Sequence, residues 1–115
     1  MASKSFTLRI READKDIFEA IKKRKKKIET RAATPKYRAM KAGDELVFVC
    51  GGKKLTKRVR VTRIFKTTSS LLKKYKVKDI NPAFKTKKEL EKMWSGFPGY
   101  AEKIKKHCLI AVELE

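Results

Sequence analysis

Histidine occurs once in the chain and cysteine twice. His107 adjoins Cys108, while Cys50 lies in a separate apolar run, so no spacing typical of a metal site is present. No metal and no other cofactor is expected, and both thiols read as buried and reduced. His107 reads as the start of a strand, with no chemistry of its own. Glycine is also scarce, at 5 residues. Neither GxGxxG nor GxxxxGK[ST] occurs, and "CGGKK" falls where a hairpin turn is needed, so no phosphate loop is expected. HExxH and paired CxxC motifs are missing, and nothing supports a Ser-His-Asp arrangement. Long apolar runs are missing too. No segment approaches the roughly 18 residues of a spanning helix, which excludes that kind of membrane protein. "MASKSFTLRIRE" lacks the apolar centre of a signal peptide, so a cytoplasmic location is expected. No repeat, linker or low-complexity tail divides the chain, and residues 1–115 read as one domain, expected to be monomeric.

The other shortage is of acid: 13 Asp and Glu stand against 32 Lys and Arg, a formal net charge of +19. A folded domain holding that much like charge repels itself, and the usual reason is a polyanionic partner. Nucleic acid is the expected one. The excess is concentrated: seven of the ten residues from Lys22 to Arg31 are Lys or Arg, with Glu29 alone among them.

Periodicity supplies the frame. "SFTLRIR" alternates Phe6, Leu8 and Ile10 against polar neighbours, which predicts a strand. Asp14 is placed to cap a helix whose apolar face is Ile17, Phe18 and Ile21. That helix runs into the lysines, which suit the negative end of its dipole. "KIETRAA" then reads as a short strand, and on an extended chain Lys27, Glu29 and Arg31 share one face. Pro35 opens a short helix that Gly43-Asp44 closes. "ELVFVC" is apolar on both faces and reads as a buried central strand. It returns through "LTKRVRVTRIFK", with Val59, Val61 and Phe65 on a core face and Arg58, Arg60 and Thr62 opposite. "TTSSLLKKY" and "TKKELEKMWSGF" read as capped helices, the second with a Thr86–Glu89 capping box and Leu90, Met93, Trp94 and Phe97 inward. "INPAF" and "GFPGY" are connections, and "HCLIAVELE" ends the chain as a strand. The sum is a small α+β domain with a curved or barrel-like sheet.

The chemistry-bearing constellation is Lys26, Glu29 and Arg31. Arginine offers a planar fork for phosphate or a base edge. A lysine among other cations gives up its proton more readily. A carboxylate between them can orient the lysine, accept a base amino group or act as a general base.

The order "IKKRKKKIETR", "MKAGDELVFV", "VRVTRIFKTTSSLL", "MWSGFPGYA", "CLIAVELE" resembles the ASCH domain of the PUA-like superfamily across nearly the whole chain. The resemblance implies a PUA-like β-barrel with flanking helices, a cleft lined by Lys26, Glu29 and Arg31, and an RNA-related role. Its Gly-Asp falls on Gly43-Asp44, whereas the usual glycine before the basic turn is replaced near Lys23 or Arg24. One branch resembles an amidohydrolase acting on N4-acetylcytidine with a lysine and a threonine three residues later. Lys26 matches, but Glu29 stands at the threonine position, so the hydroxyl is missing.

The expected function is therefore RNA binding, to single-stranded or looped RNA, with DNA as the other possibility. Lys22, Lys23, Arg24, Lys25, Lys26 and Lys27 supply attraction to phosphate, Arg58 and Arg60 extend that surface, and Glu29 and Arg31 read a base or ribose. Trp94, Tyr37 and Tyr100 are candidates for stacking. The alternative is a small RNA- or nucleoside-acting hydrolase that uses Lys26 and Glu29.

Overall fold

A computed structural model describes residues 4–115. The signal-peptide reading rests in part on residues 1–3, which lie outside the described residues. Five strands form one mixed sheet: β1 (Ser5–Ile10), β2 (Ile28–Ala32), β3 (Glu45–Cys50), β4 (Lys53–Phe65) and β5 (Leu109–Leu114). Their order across the sheet is β1-β3-β4-β5-β2, with β1 and β3 parallel and every other pair antiparallel. Six helices flank it: α1 (Lys15–Lys22), α2 (Pro35–Arg38), α3 (Thr68–Lys74), α4 (Val77–Ile80), α5 (Lys87–Ser95) and α6 (Tyr100–His107). The expected α+β arrangement is present, as a half-barrel whose edges, β1 and β2, do not pair with each other.

The curl comes from β4. Its first half pairs with β3 and its second with β5, and a bulge between Val59 and Val61 bends it. The bulge also resets the alternation. Val59 and Thr62 lie on one face, Thr62 reaching Met40 O, whereas Val61 and Phe65 lie on the other. The single core face expected for Val59, Val61 and Phe65 is therefore corrected, because one extra residue inverts everything after it.

Two cores result. The concave face carries Leu8, Leu46, Phe48, Val59, Ile110 and Val112, closed at one end by Phe18 and Ile21 of α1. The opposite face packs Ile28, Leu109 and Ala111 against Leu71, Ile80, Leu90 and Trp94 from the later helices. The strand buried on both faces is β5, contributing Leu109 and Ala111 to one core and Ile110 and Val112 to the other. β3, expected in that role, fully buries only Leu46, Phe48 and Cys50.

Three further expectations are corrected. α6 replaces a plain connection, so His107 ends a helix instead of starting a strand. Asp14 precedes α1 without capping it, because its carboxylate pairs with Arg11 at 2.8 Å. Cys50 is buried as expected, but Cys108 is only half-buried.

The end of α1 determines how the site begins. Lys25 N donates to Ala20 O at 2.8 Å and Arg24 N to Ile21 O at 3.1 Å, with Arg24 at φ 61°. This is a Schellman motif with arginine in the left-handed position that glycine normally fills. It is also where the resemblance left a glycine missing. A side chain in that conformation costs on the order of 1 kcal/mol. Arg24 is exposed, so Arg24→Gly is expected to stabilise the fold by about 1 kcal/mol in urea unfolding. A loss of stability would mean that the arginine side chain makes an interaction of its own.

Candidate functional site

The gap between the two sheet edges is a pocket of about 300 Å³. One wall is the end of β1 with Arg9, Ile10 and Arg11, and the facing wall is Lys26 with Glu29, Thr30 and Arg31 of β2. Trp94, Phe97 and Tyr100, from α5 and α6 and the turn between them, close the third side.

Pairing explains why β2 aims its polar residues here. Glu29 lies opposite Val112 and Arg31 opposite Ile110, so both point to the concave face. That face is apolar beneath β5, but at the β2 edge no further strand covers it. Ile28, Thr30 and Ala32 lie on the other side, and Ile28 joins the helical core. Glu29 and Arg31 thus share a face as expected, while Lys27 precedes the strand and is exposed.

Lys26 enters the pocket by a different route. The Schellman turn directs it inward, where its ammonium donates to Ile28 O at 3.0 Å and to Ile80 O, an end carbonyl of α4. It is 7% exposed. Burial pushes its pKa below the ordinary lysine value; Glu29 opposes that shift and Arg31 reinforces it. Glu29, also 7% exposed, is far more buried than a carboxylate in a solvated basic turn would be. Its Oε1 accepts from Thr30 N at 3.1 Å and lies 3.9 Å from Arg31 Nε. Among the described residues Oε2 has no hydrogen-bond partner, which leaves it open to a guest.

The aromatic wall is partly structural. Trp94 belongs to the core and still borders the pocket. The Tyr100 hydroxyl accepts from Ala32 N at 2.8 Å, occupying a donor on the free edge of β2, and burial raises its pKa. Phe97, expected inside, is 37% exposed at the rim, with the Arg11 guanidinium 5.7 Å from its ring centre. Tyr37 does not border the pocket; Arg31 lies over its ring at 6.0 Å.

The expected basic surface divides. Lys26, Glu29 and Arg31 line the pocket. Arg24, Lys27 and Arg60 border a second hollow on the far side of Lys26, and Arg58 faces Glu115 at 3.9 Å. Lys22, Lys23 and Lys25 are exposed and border neither. Arg9 and Arg11 were not singled out in the sequence, and Phe97 was read as core. Nothing local marks them, because they meet β2 only through closure of the fold.

The ASCH domain family matches residues 13–115. The chain belongs to the ASCH domain family. Two solved structures are similar to this ASCH domain. The crystal structure of hypothetical protein PH0355 is 32% identical with a TM-score of 0.83, covering 96% of this chain and 97% of that one. The solution NMR structure of protein PF0455 from Pyrococcus furiosus is 33% identical with a TM-score of 0.75, covering 96% of each chain. None of the curated proteins compared with the chain matches it. Among the described residues, no helix is long and apolar enough to cross a membrane, and no three His, Cys, Asp or Glu side chains are grouped to hold a metal ion.

Lys26 gives the site a pH signature. Its folded pKa lies below the 10.5 of a free lysine, so between those values the unfolded chain binds more protons than the folded one. Stability then rises with pH across that interval. The burden of the buried charge is complete below the folded pKa and gone above 10.5. The stability of the natural chain relative to Lys26→Met is therefore expected to improve as pH is raised through that interval in chemical unfolding. A difference that does not change with pH would show that the ammonium is not desolvated.

Proposed function

We propose that this ASCH domain binds single-stranded or looped RNA and admits one unstacked base between β1 and β2, where Glu29 and Arg31 read it. The supporting observation is that β2 presents a buried carboxylate and a guanidinium side by side at the open edge of the sheet, next to an aromatic wall. A carboxylate with an unused oxygen accepts base N–H groups, and the Arg31 fork donates to base or phosphate oxygens. A pocket of about 300 Å³ accommodates a base and excludes a duplex. The net charge of +19 supplies the attraction to phosphate that is independent of sequence.

A second reading rests on Lys26 and Glu29. An amine with a lowered pKa beside a buried carboxylate is the kind of pair that moves protons, here for hydrolysis of a modified nucleoside or short RNA. The missing threonine hydroxyl places it second.

Salt dependence and one substitution test these readings. With about four to six phosphates contacted, log affinity for single-stranded RNA should fall with log salt at a slope of roughly −3 to −4, and a flat response would exclude the phosphate contacts. Glu29→Gln is expected to weaken the preferred RNA by about 1–3 kcal/mol, because an amide satisfies the base donors less well, while generic strands bind slightly better with one repulsive charge removed. Uniform strengthening would reduce the site to a phosphate surface. Lost turnover with binding intact would favour the hydrolase.

A further inference from the structure

A hollow on the helical side of the molecule differs from the others in charge. Lys73, Lys74, Lys76, Lys78 and Lys85 line it, all exposed, with no carboxylate among its lining residues. Four other hollows each include two or three carboxylates, although each also contains Lys or Arg. In a chain with 13 acids, this hollow is the exception. Among the described residues none of the five ammonium groups lies within ion-pair distance of an acid. Glu89 acts on Lys85 from nearby, but its Oε1 already accepts from Lys85 N and Thr86 N in the cap of α5.

Helix stability accounts for part of the cluster. Lys73 and Lys74 occupy the last turn of α3, where cations offset the helix dipole. That argument does not reach Lys85, which precedes α5, or Lys76, which precedes α4, and for Lys78 it rests on the single turn of a four-residue helix. Among the described residues Lys76, Lys78 and Lys85 have no ion-pair partner.

The hollow also neighbours the base pocket through an intervening groove with shared walls. A groove beside that pocket shares Asn81, Met93 and Phe97 with it and continues past Pro82 to Phe84. Phe84 is in turn a wall of the lysine hollow. We propose that the lysine hollow is a phosphate track for the RNA strand whose base occupies the pocket, with Lys76, Lys78 and Lys85 holding the backbone beyond the seated nucleotide. The inference rests on the base-pocket reading and adds the direction in which the strand leaves it. A lysine holds phosphate as a point charge and reads no base, so the track acts alike on any sequence.

The test compares two triple variants that remove the same charge. One is Lys76→Ala, Lys78→Ala, Lys85→Ala; the control is Lys103→Ala, Lys105→Ala, Lys106→Ala, exposed on α6 and outside both sites. Each is titrated with a labelled single-stranded RNA of about 12 nucleotides and with a trinucleotide, over a range of salt. The first variant is expected to lose about tenfold to a hundredfold in affinity for the longer strand near 0.1 M salt, with a slope shallower by about 2. Its trinucleotide affinity should stay within about twofold of the natural chain, because the pocket is untouched and a trinucleotide leaves little backbone beyond the seated nucleotide. Equal losses in the two variants, an unchanged affinity for the longer strand, or parallel loss of the trinucleotide would each overturn the track and leave the pocket reading standing. Failure of the natural chain to bind either RNA at low salt would overturn both.

Discussion

The Lys26 ammonium is the interaction on which the site depends. A buried cation needs fixed acceptors, and this one takes Ile28 O from β2 and Ile80 O from α4. Meeting both requires the left-handed turn at Arg24 to bring the chain back immediately after α1. It also requires α4 to end beside the start of β2, where Lys27 N donates to Asp79 O at 2.8 Å. With the start of β2 held there, its register against β5 places Glu29 and Arg31 in the gap. A geometry that positions a lysine thus positions the carboxylate and guanidinium on which the proposed function rests.

The gap exists because the sheet curls without closing. A complete barrel would pair β1 with β2 and fill that space with backbone hydrogen bonds. Here the edge of β2 is protected in other ways. Tyr100 takes up Ala32 N–H, and Arg38 holds the exit of the strand by donating to Ala33 O at 2.7 Å and to His107 O at 2.6 Å. The open edge is therefore stabilised by side chains from α2 and α6, and the concave face stays accessible where it turns polar.

Several of the few acids are committed to the fold. Asp44 accepts from Lys4 N at 2.9 Å and Lys41 N at 2.8 Å, joining the start of β1 to the turn before β3, and those bonds hold its pKa below the ordinary value. Glu89 caps α5. Glu113 accepts the Tyr75 hydroxyl at 2.6 Å and lies 3.8 Å from Arg63; burial above all pushes that tyrosine up to about 12. Carboxylates engaged in this way leave most lysines unpaired, and the positive field extends beyond the Lys22–Lys27 run where the sequence concentrates it. Glu29 differs in being buried at the pocket with its second oxygen unpartnered among the described residues.

The sequence alone determined the element types, because they follow from local period and capping. Phe6, Leu8 and Ile10 alternate as a strand must, the Thr86–Glu89 box opens α5 as read, and the alternation of β2 placed Glu29 and Arg31 together. It also carried the family resemblance and the charge excess. It did not reveal α6, since Tyr100–His107 is half charged and its apolar positions acquire meaning only against β2. Nor did it reveal the bulge in β4, which has no residue signature yet decides the side on which Val61 and Thr62 fall. Tertiary structure alone turned Lys26 inward and left Lys22, Lys23 and Lys25 in solvent, as seven basic residues in ten are indistinguishable until a turn selects one. It alone brought Arg9 and Arg11 opposite Glu29. Periodicity acts over a few neighbouring residues, whereas a pocket between two sheet edges is made by contacts distant along the chain.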